Sequence, residues 1–295
     1  MSVPTLQDEG CGKPLTTDSI HARCLAAVRQ MRRYALQMSL AAGPVGAHLG
    51  GGLSMMEITS VLYFGVLRYD VRNPLWEQRD RFILSKGHGA LAYYAALCLA
   101  GFIDEKELAT FKCNDTHLTG HPHMDLQRGI EFSSGSLGQG LSLGVGSALA
   151  LRSRANETSR VFVLVGDGEI NEGSVWEAAM SAAHFNLSNL VVIVDKNGLQ
   201  YDGITEDVMD LGDLAAKWES FGWMALNVDG HDIAALLDAL ETPHDKPLAI
   251  IARTVKGKGV SFMENNRAWH HCRLTQAQFD QAMAEQIPPE QREGQ

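Results

Sequence analysis

The sequence predicts an α/β fold, with a parallel sheet covered by helices on both faces. Two observations carry the prediction. Continuous apolar runs, R-F-I-L-S, R-V-F-V-L-V-G-D-G, L-V-V-I-V-D-K-N-G and P-L-A-I-I-A-R, read as strands buried on both sides. Helical patterns separate these runs, and strands alternating with helices build a parallel sheet. The length agrees: 295 residues with 45% apolar content exclude a disordered or fibrous chain. We expect one domain over residues 1–295, with loose ends at about 1–15 and 287–295.

Each element follows from its local pattern. Thr17-Asp18-Ser19 is suited to cap a long helix, in which Ile20, Cys24, Met31, Tyr34, Ala35 and Met38 recur at helical spacing. Gly43-Pro44 ends it. H-L-G-G-G-L-S reads as a glycine-rich turn, followed by a helix from about Ser54 to Gly65. R-F-I-L-S is a short strand and His88 to Leu99 a helix; Asn114 to Ser136 is a loop rich in Gly, His and Asp. S-L-G-Q-G-L-S-L-G-V-G-S-A-L-A-L enters a helix through glycine, and helices are expected over Gly173–Phe185 and Leu211–Phe221. Trp223 to Val228 is a further strand; Ile233, Leu236, Leu237 and Leu240 mark another helix. Ligands of such sheets bind outside the carboxyl ends of the strands.

Composition narrows the function. A net charge of −10 argues against nucleic acid as the main partner. No apolar run reaches the ~18 residues that a membrane-spanning helix needs. The start, M-S-V-P-T-L-Q-D-E-G, lacks a basic stretch followed by an apolar one, so no secretory signal is read. Five cysteines, an odd number with no C-x-x-C, fit a reduced cytoplasm and not a zinc site. An acidic chain can still hold a phosphorylated cofactor through backbone N–H groups and a metal. The 29 glycines cluster tightly, as they do where backbone approaches a ligand.

Two strands end in polar turns, Gly166-Asp167-Gly168 and Asp195-Lys196-Asn197. Asp167 and Asn197 stand 30 positions apart, the span of a strand–helix–strand unit, so both turns fall on one edge of the sheet. One carboxylate and one amide oxygen suit Mg²⁺ or Ca²⁺, completed by carbonyl, water and phosphate oxygens. Each turn alone is a common loop; together on adjacent strands they favour a site. Lys256-Gly257-Lys258-Gly259 reads equally as a phosphate loop and as a solvated turn. The Met55-Met56 pair and the cysteines read as packing residues.

These motifs resemble those of a family. Gly166-Asp167-Gly168 followed by Asn197 is similar to the thiamine diphosphate motif. Over roughly residues 17 to 272 the chain resembles the N-terminal, diphosphate-binding half of transketolase. The matching stretches are HLGGGLSMMEI, DRFILSKGHG, TGHP, SGSLGQGLSLGVGSALA, GDGEINEGSVWEAAMSAAHFNLSNLVVIVDKNGLQYDG and VDGHD. The resemblance implies a thiamine diphosphate-binding fold. It implies that Asp167, Asn197 and the Leu199 carbonyl ligate Mg²⁺ (Ca²⁺ being the other candidate), and that Gly166 and Gly168 lie close to the diphosphate. It places His88 at the diphosphate, facing the substrate channel, with His48 and His121 toward the substrate. Gly135 and Leu137 fall at cofactor-contacting positions, Leu137 at the aminopyrimidine. Glu172 matches a glutamate at a subunit interface near the cofactor. His270 or His271 matches a later active-site histidine. For a single histidine a structural reading is the better one; in matching motifs it is reversed for these, while His21, His117, His123, His184, His231 and His244 keep it.

The implied activity is transfer of a two-carbon ketol unit from a ketose, phosphorylated or otherwise acidic, to an aldose. The cofactor supplies the electron sink, and histidines suit proton movement between hydroxyls and carbonyls near neutral pH. Full-length transketolases are more than twice as long and carry a pyrimidine-binding and a C-terminal domain. The expectation is therefore a transferase component that is active only with a separate chain bearing those domains, in an α2β2 heterotetramer self-associating near Glu172. The glycines around Gly50 and Gly138 are expected at the surface meeting that chain. Alternatives are a component of a deoxyxylulose-phosphate synthase-like or 2-oxo acid dehydrogenase-like enzyme, or a non-catalytic cofactor-binding module.

Overall fold

The computed structural model describes residues 16–156 and 158–287. The loose ends expected from the sequence lie outside the described residues, apart from Ile287. Helix α1 (Thr17–Ala41) is capped by Thr16, one residue earlier than expected; its side chain accepts the Ser19 N–H. Its apolar face, Cys24, Ala27, Val28, Met31, Ala35 and Met38, is buried.

The expected glycine-rich turn is instead helix α2 (Leu49–Leu53), buried at every residue. The reason is packing: without side chains, Gly50, Gly51 and Gly52 can lie against Trp269, Lys256, Lys86 and Leu91. The helix expected over Ser54–Gly65 is α3 (Met56–Val61), continued by one wider turn, Leu62–Val66. Strand β1 (Arg81–Leu84) then leads through a tight turn at Gly87–Gly89 into α4 (Ala90–Ala100), whose eleven residues are all buried.

After the long loop come α5 (Gly140–Ser153), β2 (Val161–Gly166), α6 (Gly173–His184) and β3 (Leu190–Lys196). The rest is α7 (Thr205–Met209), α8 (Leu214–Ser220), β4 (Met224–Asp229), α9 (Ile233–Glu241), β5 (Leu248–Arg253) and α10 (Gln276–Glu285). The sequence reading did not identify α10, although Thr275 and Gln278 form a capping box in plain view.

The five strands pair in parallel in the order β1-β2-β3-β5-β4. Alternate residues serve two cores. Phe162, Leu164, Val191 and Ile193 face α1, α3, α4 and α9; Val161, Val163, Val192 and Val194 face α5, α6 and α8. The sheet is thus buried on both faces, and the buried polar groups Ser85, Lys86, Asp167 and Asp195 gather where its strands end. Gly166 pairs with Asp195, which brings both polar turns to one edge. Among the described residues, no helix is long and apolar enough to cross a membrane.

Candidate active site

The carboxyl ends of β1, β2, β3 and β5 converge on a cleft of about 460 Å³. Lys86, His88, Leu137, Gly166, Asp167, Gly168, Glu172, Asn197, Leu199, Lys256 and His270 all line it. Its floor is a buried polar network. Lys86, 1% exposed, forms an ion pair with Asp195, which is fully buried, and donates to the Gly51 carbonyl at 2.9 Å. Ser54 donates to the same carboxylate at 2.6 Å, Asn197 Nδ2 at 3.3 Å, and Thr254 to its other oxygen. Burial pushes the Asp195 pKa up, but Lys86 and the hydroxyls outweigh it and hold the carboxyl ionised below its usual range.

This network aims the turn residues. With Nδ2 bound to Asp195, the Asn197 amide turns Oδ1 the other way, where it accepts the Leu199 N–H at 3.2 Å. Asp167 accepts from the Gly198 N–H at 2.7 Å, the Gly168 N–H at 2.8 Å and Thr205 at 3.2 Å. Burial, with Asp195 nearby, raises the Asp167 pKa to about 6. A negative group taken from water in this way favours a cation beside it. Lys256, 2% exposed, donates to the Leu199 carbonyl at 2.7 Å, so this oxygen already attracts positive charge. Burial, then Lys86, lowers the Lys256 pKa to about 8.

Above the floor five histidines meet. His48 lies at the centre, 5.7 Å from His88, 5.6 Å from His121, 5.5 Å from His270 and 4.5 Å from His271 between ring centroids. Both alternatives for the late histidine are therefore present, in different places. His270 stacks on His88 at 5.6 Å and touches Tyr201, inside the cleft. His271 lies toward solvent beside Lys112. Burial first, then neighbouring cations and imidazoles, lowers the pKa of His48 to about 3 and of His270 to about 4. The same causes lower His88, His121 and His271. The cluster is neutral at neutral pH, able both to donate and to accept. Lys256 donates to His270 Nδ1 at 3.0 Å, which puts the imidazole proton on Nε2.

A Cβ on Gly135 would lie 3.7 Å from His121, in ordinary contact, and Leu137 and Glu172 are exposed at the rim. Gly50 and Gly138 are themselves buried, while Leu137 and Gln139 beside Gly138 are exposed. A Cβ on Gly50 would meet the Trp269 carbonyl at 2.9 Å; Gly138, at φ +80°, would meet the Glu172 Cβ at 2.6 Å. Both are filled by the chain's own atoms.

The sequence reading missed Lys86, Asp195 and Glu169, and left Lys256 undecided. A lysine directly before G-H-G and an aspartate inside an apolar strand were the available signals, since buried charges need a reason. Glu169 latches the site: it accepts from Gly138 N at 2.9 Å, Gly166 N at 3.0 Å and the Ser85 hydroxyl. His231, read as structural, is a buried tie. Its Nδ1 donates to Glu57 at 3.0 Å and its Nε2 accepts the Val255 N–H at 2.8 Å, next to Lys256. Cys24 and Cys98 are packing residues as expected, but Cys113 is exposed.

Known proteins place this geometry. The family of the transketolase thiamine diphosphate binding domain matches residues 22–286. One subunit of an apulose-4-phosphate transketolase, from Actinobacillus succinogenes, is 44% identical over 230 residues, covering 77% of this chain and 83% of the relative. One subunit of a 6-deoxy-6-sulfo-D-fructose transketolase, from Clostridium sp., is 41% identical, covering 81% and 87%. The solved transketolase of Leishmania mexicana superposes with a TM-score of 0.81 at 26% identity, over 89% of this chain but 41% of that one. The chain thus spans about two fifths of the solved transketolases and most of the subunit-sized relatives. It belongs to the transketolase family, as a thiamine diphosphate-binding domain.

Proposed function

We propose that this chain is the diphosphate-binding subunit of a split transketolase. With a partner chain carrying pyrimidine-binding and C-terminal domains, in an α2β2 complex, it moves a two-carbon ketol unit from an acidic ketose to an aldose. The whole chain acts as one domain, and its compartment is the cytoplasm. The observation that carries the reading is the five-histidine cluster opening directly onto a cleft floored by Asp167, Asn197 and Lys256. The two relatives with subunit names are covered over 83% and 87% of their lengths, which supports a two-chain enzyme.

The donor set fits Mg²⁺ and a diphosphate. Asp167, the Asn197 amide oxygen and the Leu199 carbonyl are hard oxygen donors, and they would hold the ion together with diphosphate and water oxygens. Among the described residues, no three of His, Cys, Asp or Glu gather as a metal site, so the ion takes this mixed set. Lys256 and His88 would contact the diphosphate, Gly166 and Gly168 would pass close to it, and Gly135 and Leu137 would border the pyrimidine. When bound, thiamine diphosphate supplies the electron sink for breaking a carbon–carbon bond beside a carbonyl.

The chain's own residues then bind and move protons. His88 and His270, stacked inside the cleft, lie nearest the reacting end of a sugar. His48 and His121 reach the next hydroxyls along it. His270, whose Nδ1 accepts from Lys256, can only donate from Nε2, so it orients a sugar oxygen, while the neutral rings of His48, His88 and His121 would take a hydroxyl proton on one nitrogen and donate from the other. Glu172, exposed at the start of α6, is placed for self-association.

Co-expression with the partner chain followed by a ketol-transfer assay tests the reading. The expected result is activity in the complex and none in either chain alone. Ketol transfer by the purified single chain refutes the split enzyme.

A further inference from the structure

The stretch V-D-G-H-D, Val228 to Asp232, turns from β4 into α9 outside the cleft, yet it leans on the segment that carries Lys256. Asp229 accepts the His231 N–H at 2.9 Å, and Asp232 accepts from Ala234 and Ala235 at the start of α9. Gly230 crosses the end of β5. Its N–H donates to the Arg253 carbonyl at 2.8 Å, and a Cβ there would lie 2.5 Å from Thr254 Cγ2. The turn is thereby pressed onto residues 253–255, and the His231 ring reaches the Val255 N–H at 2.8 Å.

Both ring nitrogens are committed. The Val255 N–H can only donate, so Nε2 accepts and the ring proton sits on Nδ1. Nδ1 then donates to Glu57 Oε2 at 3.0 Å. Glu57 is buried on α3. Burial pushes its pKa up, but His231 and Arg32 outweigh it and hold the carboxyl ionised below its usual range. An ionised carboxylate has no proton to offer, which fixes the same tautomer from the other side. Arg32, the ion-pair partner of Glu57, also lies against Gly259, where a Cβ would be 2.6 Å from its Nε. One buried carboxylate thus reaches both ends of V-K-G-K-G, Val255 through the imidazole and Gly259 through the guanidinium.

What this grip places is Lys256. Its backbone is held on the far side by the Gly257 N–H, which donates to the Gly50 carbonyl at 3.0 Å, and its own carbonyl accepts the Asn265 N–H at 2.9 Å. A lysine stem is flexible, so the ammonium is placed only as well as its backbone is. Here Nζ meets the Leu199 carbonyl at 2.7 Å and His270 Nδ1 at 3.0 Å together. We propose that His231 is a positioning residue: oriented by Glu57, it fixes the Val255 amide and so sets the Lys256 ammonium between Leu199 and His270. This deepens the proposed cofactor role and rests on it for the diphosphate as the ligand of Lys256.

Two variants separate the two bonds of the ring. In His231→Asn the side-chain amide takes the place of Nδ1 and still donates to Glu57, but nothing accepts the Val255 N–H. In His231→Gln the longer side chain puts its oxygen where Nε2 was and accepts it. The cofactor-free full chain is measured first, by the nitrogen NMR resonance of His270 Nδ1, which reports the bond from Lys256. This resonance should shift in His231→Asn in the same direction as in Lys256→Met, and return toward wild type in His231→Gln. A resonance unmoved in His231→Asn, or moved equally in both His231 variants, overturns the proposal whatever the chain binds. His231→Leu replaces the asparagine variant if far-UV circular dichroism shows that the latter is unfolded.

The affinity for thiamine diphosphate, titrated by tryptophan quenching with Mg²⁺ present, is the second measurement. Lys256→Met should weaken it about ten- to hundredfold and His231→Asn about tenfold. In the double variant the loss should equal that of Lys256→Met alone, because His231 then has no lysine to place. Losses that multiply overturn the proposal. Wild-type affinity in Lys256→Met counts against the diphosphate reading instead, and leaves the His270 resonance as the deciding result.

Discussion

Removing the Lys86 ammonium tests whether the cleft floor is held by charge. Lys86→Met keeps the stem volume but deletes the ion pair with Asp195 and the hydrogen bond to the Gly51 carbonyl. Asp195, fully buried, is left as an unpaired carboxylate. Breaking one side of a buried pair costs about 3–5 kcal/mol, because the surviving charge stays desolvated. Here three donors remain on the carboxylate, from Ser54, Thr254 and Asn197. The loss should fall near the lower end, about 3 kcal/mol. Asp195→Ala is worse by the same logic: it leaves the ammonium with only the Gly51 carbonyl, for about 5 kcal/mol. The double variant Lys86→Met/Asp195→Asn removes both charges and should cost less than the two single changes together. Urea unfolding of the isolated chain, followed by circular dichroism, measures all three. If Lys86→Met shifts stability by no more than ~0.5 kcal/mol, as surface substitutions do, the pair is not what holds these strand ends together.

Acid should weaken the fold through the histidines. His48 has its pKa depressed from 6.5 to about 3, so below 6.5 the unfolded chain takes up a proton that the folded chain refuses until about 3. Stability is therefore full above 6.5 and falls across that window, and His48→Asn should flatten the fall in thermal midpoint; an unaltered slope would count against a neutral buried ring. Asp167→Ala should abolish Mg²⁺-dependent cofactor binding, read by tryptophan quenching, while circular dichroism stays native; unchanged affinity would remove Asp167 from the metal site. His88→Ala and His121→Ala should lower turnover of the reconstituted complex by roughly 10²–10⁴ with less effect on cofactor affinity. Gly138→Ala forces a side chain into φ +80° and to 2.6 Å from Glu172 Cβ, so a loss of about 1–3 kcal/mol in urea unfolding is expected.

The fold was legible where residue pattern and burial coincide. Val191 to Val194 must be covered on both sides, and the structure covers them with α1, α3 and α4 on one face and α5 and α6 on the other. Reading failed where packing overrides propensity. Leu49–Leu53 contains three glycines and reads as a turn, but it is a helix because Lys256, Trp269 and Leu91 need its bare surface. The cleft residues Asp167 and Asn197 were legible because glycine and position mark them. Lys86 and Asp195 stand 109 positions apart in sequence, and no local pattern pairs two residues so distant.

The charges explain why an acidic chain can serve acidic ligands. The chain carries a net charge of −10, but its cleft sets Lys86, Lys256 and neutral imidazoles beside the carboxylates Asp167, Glu169, Glu172 and Asp202. Of its lysines, Lys86 is matched by Asp195 and adds little field outside the floor. Lys256 and Lys112 bond only carbonyls and imidazoles among the described residues, Lys256 beside His270 and Lys112 beside His271. The rings between them are kept neutral partly by those same lysines, since Lys256 depresses His270, and Lys112 depresses His48, His121 and His271. One arrangement thus keeps cations beside the cleft and leaves the imidazoles around them neutral near neutral pH.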